Sequence, residues 1–194
     1  MSEVELSPAE RFAKAKKNKS YPLVESFVKL LKFPMDEFQE HACRALAEGK
    51  GVLVAAPTGA GKTIVGEFAI HLALEKNLKV FYTTPIKALS NQKYAEMVKR
   101  YGAERVGLLT GDTNQNSDAQ IVVMTTEVLR NMIYANSEAL MNLGYVVMDE
   151  VHYLADRFRG AVWEEVILHL PKDVKIVSLS ATVSNAEEFG AWLD

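Results

Sequence analysis

Val52-Leu53-Val54-Ala55-Ala56-Pro57-Thr58-Gly59-Ala60-Gly61-Lys62-Thr63 is the stretch that decides how this chain folds. Its apolar first part, 52–56, reads as a strand covered on both faces. A helical pattern starts at 62 and runs to 75. Between the two, Gly59 and Gly61 let the backbone curl so that successive N–H groups converge on one point. The N-terminus of the following helix adds a partial positive charge there. Strand, glycine turn and helix in this register form a phosphate-binding loop, with Ala56 where the strict pattern has its first glycine. In that reading Thr58, Gly59, Ala60 and Gly61 cradle phosphate oxygens. Lys62 reaches the β- and γ-phosphates of a nucleotide, and the Thr63 hydroxyl ligates Mg²⁺. The bland alternative is a glycine-rich strand–helix turn followed by a chance Lys-Thr.

The pattern repeats along the chain. Strands are expected at 79–83, 105–109, 120–124, 144–148 and 174–179. Helices are expected near 37–48, 86–100, 126–134, 161–170 and 185–193, with a short apolar helix in 23–32 lying on the main domain. Tyr94, Met97, Val98 and Tyr101 share one helical face, as do Val162, Val166 and Leu170. Alternating strands and helices predict an α/β fold with a mostly parallel, doubly wound sheet and helices on both faces. Ser7-Pro8-Ala9-Glu10 opens a further helix that ends in Lys14, Lys16, Lys17 and Lys19. That basic run is either a solvated arm or a phosphate-contacting one. Residues 1–32 are read as an N-terminal helical arm and 33–194 as the main domain.

Tyr145-Val146-Val147-Met148-Asp149-Glu150-Val151-His152 ends a buried strand in two carboxylates. At the carboxyl end of a parallel strand, Asp149 faces the metal that Thr63 holds, directly or through water. Glu150 lies further out, where it orients and deprotonates an attacking water. Ser180-Ala181-Thr182 ends the last strand, and both hydroxyls are placed to hydrogen-bond Asp149 or Glu150 and sense the nucleotide. A plain hydroxyl-stabilised turn is the competing reading.

Composition narrows the classes. The chain has 194 residues, 48% hydrophobic and 24% charged, with 11 Gly and 6 Pro, which excludes disordered and collagen-like chains. Its net charge of −3 excludes a uniformly basic nucleic-acid wrapper, so any such contact must be a local patch. One cysteine, Cys43, permits no disulfide framework, and His41, His71, His152 and His169 show no metal-ligand spacing with it. No apolar run approaches the roughly 18 residues of a membrane span, and the acidic start lacks a signal-peptide core. The expected setting is soluble, reducing and cytoplasmic.

Phosphate loop, Asp149–His152 box and Ser180–Thr182, in this order, resemble superfamily-two helicases of the DExH-box kind. Phe33-Pro34-Met35-Asp36-Glu37-Phe38-Gln39 resembles their adenine-recognition segment. The resemblance implies that Gln39 reads the adenine edge and Phe33 covers its face. Read from the residues alone, Asp36 and Gln39 form a helix capping box, which is compatible with that role. Thr84-Pro85-Ile86-Lys87-Ala88-Leu89-Ser90-Asn91-Gln92, Leu109-Thr110-Gly111-Asp112 and Thr125-Thr126-Glu127-Val128-Leu129-Arg130 resemble the strand-contacting motifs. Pro85, Lys87, Gly111, Thr125, Thr126 and Arg130 are the candidate contacts, with Pro85 expected at a first helical position. Such ends bind a backbone through N–H groups and hydroxyls without reading bases; ordinary capping is the alternative.

Over 33–194 the sequence is similar to the first RecA-like domain of the superkiller/exosome-cofactor type of DExH helicase, most closely its bacterial HelY-type members. FYTTPIKALSNQKY, VVMTTEVLRNMIYA, MDEVHYLADRFRGAVWEEVILHLP and SLSATVSNAEEFGAWL carry the match. The resemblance implies an ATP- and Mg²⁺-dependent helicase acting on single-stranded nucleic acid, RNA rather than DNA. It assigns catalysis to Lys62, Asp149, Glu150 and His152, and coupling to Ser180 and Thr182. A second RecA-like domain, which supplies arginine fingers in that family, is absent from the 194 residues. The expectation is therefore half a motor: monomeric, without membrane contact, and slow to hydrolyse ATP alone. Competing readings are a repair helicase or translocase of the same superfamily, a small-molecule phosphotransferase, and a nucleic-acid-binding module with a vestigial ATP site.

Overall fold

The computed structural model of this chain describes residues 20–151 and 160–181. Helix α1 (Pro22–Val28) and helix α2 (Glu37–Ala47) lead into β1 (Val52–Ala55) and α3 (Thr63–Glu75). There follow β2 (Lys79–Thr84), α4 (Lys87–Tyr101), β3 (Val106–Thr110), β4 (Thr113–Gln115), β5 (Ile121–Thr125) and α5 (Thr126–Tyr134). A 3₁₀ turn (Glu138–Leu140), β6 (Leu143–Met148), α6 (Gly160–His169) and β7 (Lys175–Ser180) complete the described elements. The expected arm before residue 20, the helix expected at 185–193, His152 and Thr182 lie outside the described residues.

Seven strands form one sheet in the order β1-β7-β6-β2-β5-β3-β4. Every ladder is parallel except that of β3 with β4. Strand alternation divides the core. Val80, Tyr82, Ile121, Val123, Tyr145 and Val147 face one layer with Phe27, Leu46, Phe68 and Met97. Phe81, Val122, Met124, Val146 and Met148 face the other, with Leu129, Trp163 and Val166. Helices therefore cover both faces, and the strands read as continuous apolar runs because neither face meets water.

The Met97 face behaves as its spacing predicts: Met97 is buried, and Tyr94, Val98 and Tyr101 pack against the same core. The expected 23–32 helix is shorter, but its Val24 and Phe27 enter the core, and the Phe27 ring lies 5.2 Å from that of Phe68. Two expectations need correction. Strand β4 was not expected; it is three polar residues pairing antiparallel at the sheet edge, so no apolar alternation marks it. Pro85 is not the first helical residue. Helix α4 starts at Lys87, with Ile86 as an extended N-cap (φ −142°, ψ 151°). Thr84 explains the delay, because its hydroxyl donates to the Ile86 carbonyl at 3.1 Å and lies 2.7 Å from the Ser90 hydroxyl, holding a bend before the helix.

Candidate functional site

The loop after β1 carries the first group of candidates. Gly59 (φ +86°) and Gly61 (φ +78°) adopt the left-handed conformations that turn the backbone. A Cβ on Gly61 would stand 2.6 Å from Gln39 Nε2. Thr58 and Gly59 are exposed, Ala60, Gly61 and Lys62 are half-buried, and Thr63 opens α3 with its side chain exposed. Lys62 Nζ donates to the Ala56 and Pro57 carbonyls at 2.8 and 3.0 Å. The ammonium is thus folded over its own loop, beside the N–H groups at the start of α3. A cation held over a glycine loop at a helix start suits a phosphate chain.

Gln39 is buried and does two things at once. With Asp36 it forms the capping box of α2, its Oε1 accepting from the Asp36 N–H at 2.9 Å. Its Nε2 donates to the Gly61 carbonyl at 3.1 Å. It therefore ties the start of α2 to the phosphate loop. Phe33, nearby in sequence, is 51% exposed, so its ring is open to a planar partner.

Asp149 follows β6 and is buried, 8% exposed. Its N–H donates to the Thr83 carbonyl at 2.9 Å. Both carboxylate oxygens are engaged: Oδ2 accepts from the Tyr82 hydroxyl at 2.6 Å and Oδ1 from the Glu150 N–H at 2.9 Å. Burial, and then the negative charge of Asp149, push the Tyr82 hydroxyl well above its ordinary value, so the phenol is the donor. Glu150 has φ +56°, a conformation costly for a side chain of its size. Such strain persists only where surrounding structure enforces it, and here it turns the chain sharply at the strand end. Ser180 ends β7; its carbonyl accepts from the Ala56 N–H at 3.2 Å. Its hydroxyl donates to the Ala181 carbonyl at 2.7 Å, so its one proton is not directed at Asp149 or Glu150 as the sequence reading expected.

The remaining candidates cluster on the neighbouring strand ends. Thr84 pairs with Thr125 in the ladder, and the Thr126 hydroxyl donates to the Thr84 carbonyl at 3.3 Å. Pro85 follows Thr84 directly. Gly111 and Asp112 form the turn between β3 and β4. Lys87 reaches across to that turn and pairs with Asp112 at 2.5 Å. That contact, with Thr110 adding a second, holds the Asp112 carboxyl below its ordinary value. Arg130 on α5 stands apart, 3.7 Å from Glu165 on α6.

Sheet order sorts these groups. Phosphate loop, Ser180 and Asp149 close β1, β7 and β6, three adjacent strands. Pro85, Thr125 and Gly111 close β2, β5 and β3, the next three. Tyr82 stands at the seam, and sequence reasoning missed it: nothing in a buried Phe-Tyr-Thr run says which residue faces a carboxylate.

The sequence profile of the DEAD/DEAH box helicase family matches residues 36–189. The chain belongs to this family. This DEAD/DEAH box chain is 68% identical over 167 residues to the "Probable helicase HelY" of Mycobacterium leprae, covering 86% of the chain and 18% of that protein. It is 47% identical over 172 residues to the human "Exosome RNA helicase MTR4", covering 89% of the chain and 16% of that protein. Among solved structures it is similar to Mycobacterium smegmatis helicase Lhr bound to ssDNA and AMP-PNP, with a TM-score of 0.63 and 29% identity over 84% of this chain and 25% of that one. The chain thus spans less than a fifth of these two curated relatives. No helix among the described residues is long and apolar enough to cross a membrane.

Proposed function

We propose that this chain is the nucleotide-binding half of an ATP-dependent helicase that grips single-stranded RNA. The observation that carries this reading is the division of the strand ends into two adjacent groups: phosphate-type donors and carboxylates on β1, β7 and β6, hydroxyls and helix starts on β2, β5 and β3. Family membership supports reading the first group as a nucleotide site. RNA is favoured over DNA by likeness to a relative named as an exosome RNA helicase. The repair-helicase or translocase alternative has the DNA-bound Lhr structure on its side.

The residues present fit Mg²⁺. Thr63 and Asp149 offer hard oxygen donors, and Asp149 is already oriented through both oxygens. Among the described residues no group of three His, Cys, Asp or Glu could hold a metal by itself, so an ion here would draw further ligands from phosphates and water. When bound, that ion neutralises charge developing on the transferred phosphoryl group. Lys62 exchanges the Ala56 and Pro57 carbonyls for phosphate oxygens. Glu150 accepts a proton from the water whose oxygen attacks the γ-phosphorus. The bond from the γ-phosphorus to the bridging oxygen breaks, and ADP leaves.

Residues 33–194 would form the first RecA-like domain, with 1–32 as its arm. His152, Ser180 and Thr182 are proposed to relay the nucleotide state to a second RecA-like domain. An arginine finger from such a domain is worth about 10³–10⁵ in rate, so the chain alone hydrolyses ATP slowly. Joined to that domain, the Glu150→Gln variant should retain ATP binding and lose RNA-stimulated hydrolysis. Retained hydrolysis would remove Glu150 from the base role, and brisk RNA-independent turnover by the 194 residues alone would contradict the half-motor reading.

A further inference from the structure

A carboxylate on a metal must present its lone pairs in one orientation, yet the torsion that turns an Asp carboxyl group is broad and roughly two-fold. Two external hydrogen bonds, one to each oxygen, remove that freedom. Asp149 has such a pair. The Glu150 N–H holds Oδ1 at 2.9 Å, and the Tyr82 hydroxyl holds Oδ2 at 2.6 Å. We propose that Tyr82 is a positioning residue of the nucleotide site: its hydroxyl fixes the Asp149 carboxylate in the orientation that accepts a divalent cation beside the phosphate loop.

Three observations carry this. The hydroxyl is not needed to join its strands, because Phe81, Tyr82 and Thr83 already pair with Val146, Val147 and Met148. The Asp149 N–H to Thr83 carbonyl bond extends that ladder by one more residue. A phenylalanine would fill the same space, so the polar atom at this buried place is explained by its acceptor.

The ring, moreover, is itself held. Helix α3 rests on it at Gly66, where an added Cβ would stand 3.3 Å from Tyr82 Cε2. On α4, Lys93 Nζ lies 5.5 Å from the ring centroid. The hydroxyl is therefore carried on a side chain with little freedom to move.

Finally, Tyr82 belongs to the site's own surroundings. It lines a cavity of about 40 Å³ together with Thr63, Glu67, Lys93 and Arg100. Thr63 is the other proposed metal ligand, so Tyr82 touches one proposed ligand and shares a cavity with the other. Glu67 and Arg100, two of the lining residues, form an ion pair at 2.5 Å.

This inference rests on the nucleotide-site reading, and its test separates the two. The affinity of the 194-residue chain for a fluorescent ADP is measured in EDTA and in saturating Mg²⁺, for wild type, Tyr82→Phe and Lys62→Ala. Tyr82→Phe should bind ADP in EDTA as wild type does, while its Mg²⁺-dependent gain in affinity falls about tenfold, the scale seen when a partner of a metal ligand is removed. Equal weakening with and without Mg²⁺ would mean a packing role and overturn the proposal. A full Mg²⁺ gain in Tyr82→Phe, with Lys62→Ala weakened in both conditions, would also overturn it while leaving the nucleotide site standing. Wild-type binding by Lys62→Ala in both conditions would remove the site reading and this inference together.

Discussion

A methyl group on Gly61 would meet two obstacles. The backbone there has φ +78°, and the new Cβ would stand 2.6 Å from Gln39 Nε2. Gly61→Ala should therefore destabilise the fold by about 1–3 kcal/mol, read by urea denaturation, and weaken nucleotide binding more than Gly59→Ala, whose Cβ meets nothing within 4 Å. Cys43 gives a pH prediction. Burial, and then the charge of Glu40, push its thiol from 9.0 to about 12. The raised value means the fold favours the neutral thiol. Its contribution is fully present below pH 9 and is lost as pH rises from about 9 toward 12. Cys43→Ala should flatten the decline in urea midpoint over that range, and the wild-type thiol should resist alkylation until the chain unfolds. At this scale the positions of Gly59, Gly61, Lys62, Asp149 and Glu150 at the strand ends were legible, because loop and strand end follow fixed spacing. Tyr82 and the Gln39 bond to the loop were not, because each depends on which way a side chain points across the fold.

Among elements, helix α2 owes its start to the Asp36–Gln39 capping box. Asp36→Ala should cost about 1 kcal/mol of stability, measured by thermal or urea unfolding. Gln39→Ala should cost more, since it also removes the bond to the Gly61 carbonyl. Helix α4 bears on nucleic acid. Lys87 and Asp112 are both largely exposed, so their ion pair contributes little to stability and Lys87 is available to a phosphate. A salt titration of single-stranded RNA binding should show Lys87→Ala with a slope shallower by about one unit; an unchanged slope would take Lys87 off the track. Six strands and six helices were legible to within a residue or so, apart from the shortened α1, because strands buried on both faces and amphipathic helices leave unlike periodicities. Strand β4 was not legible, since Thr113, Asn114 and Gln115 carry no apolar signal and pair only because the turn at Gly111–Asp112 folds them back on β3. The late start of α4 escaped for a similar reason: Pro85 suits a first helical turn, but the Thr84 hydroxyl holds a bend that proline spacing alone does not reveal.

For the whole molecule, what matters is adjacency. A parallel sheet brings the carboxyl ends of all its strands to one edge, and ligands of open α/β sheets gather there. The strand order then decides which loops are neighbours. That order could not be read from the motifs, because β7, last in the described chain, inserts between β1 and β6. It places Ser180 beside the phosphate loop and leaves β6 and β2 as the seam between the two groups of candidates. The central claim is that one edge carries a nucleotide half and a nucleic-acid half. The most direct test is amide chemical-shift mapping of the 194-residue chain, titrated separately with Mg·ADP and with a short single-stranded RNA. Mg·ADP should shift Gly59, Gly61, Lys62 and Asp149 first, and RNA should shift Lys87, Gly111, Thr125 and Thr126 first. A nucleotide response centred on the second set, or an RNA response centred on the first, would contradict the account.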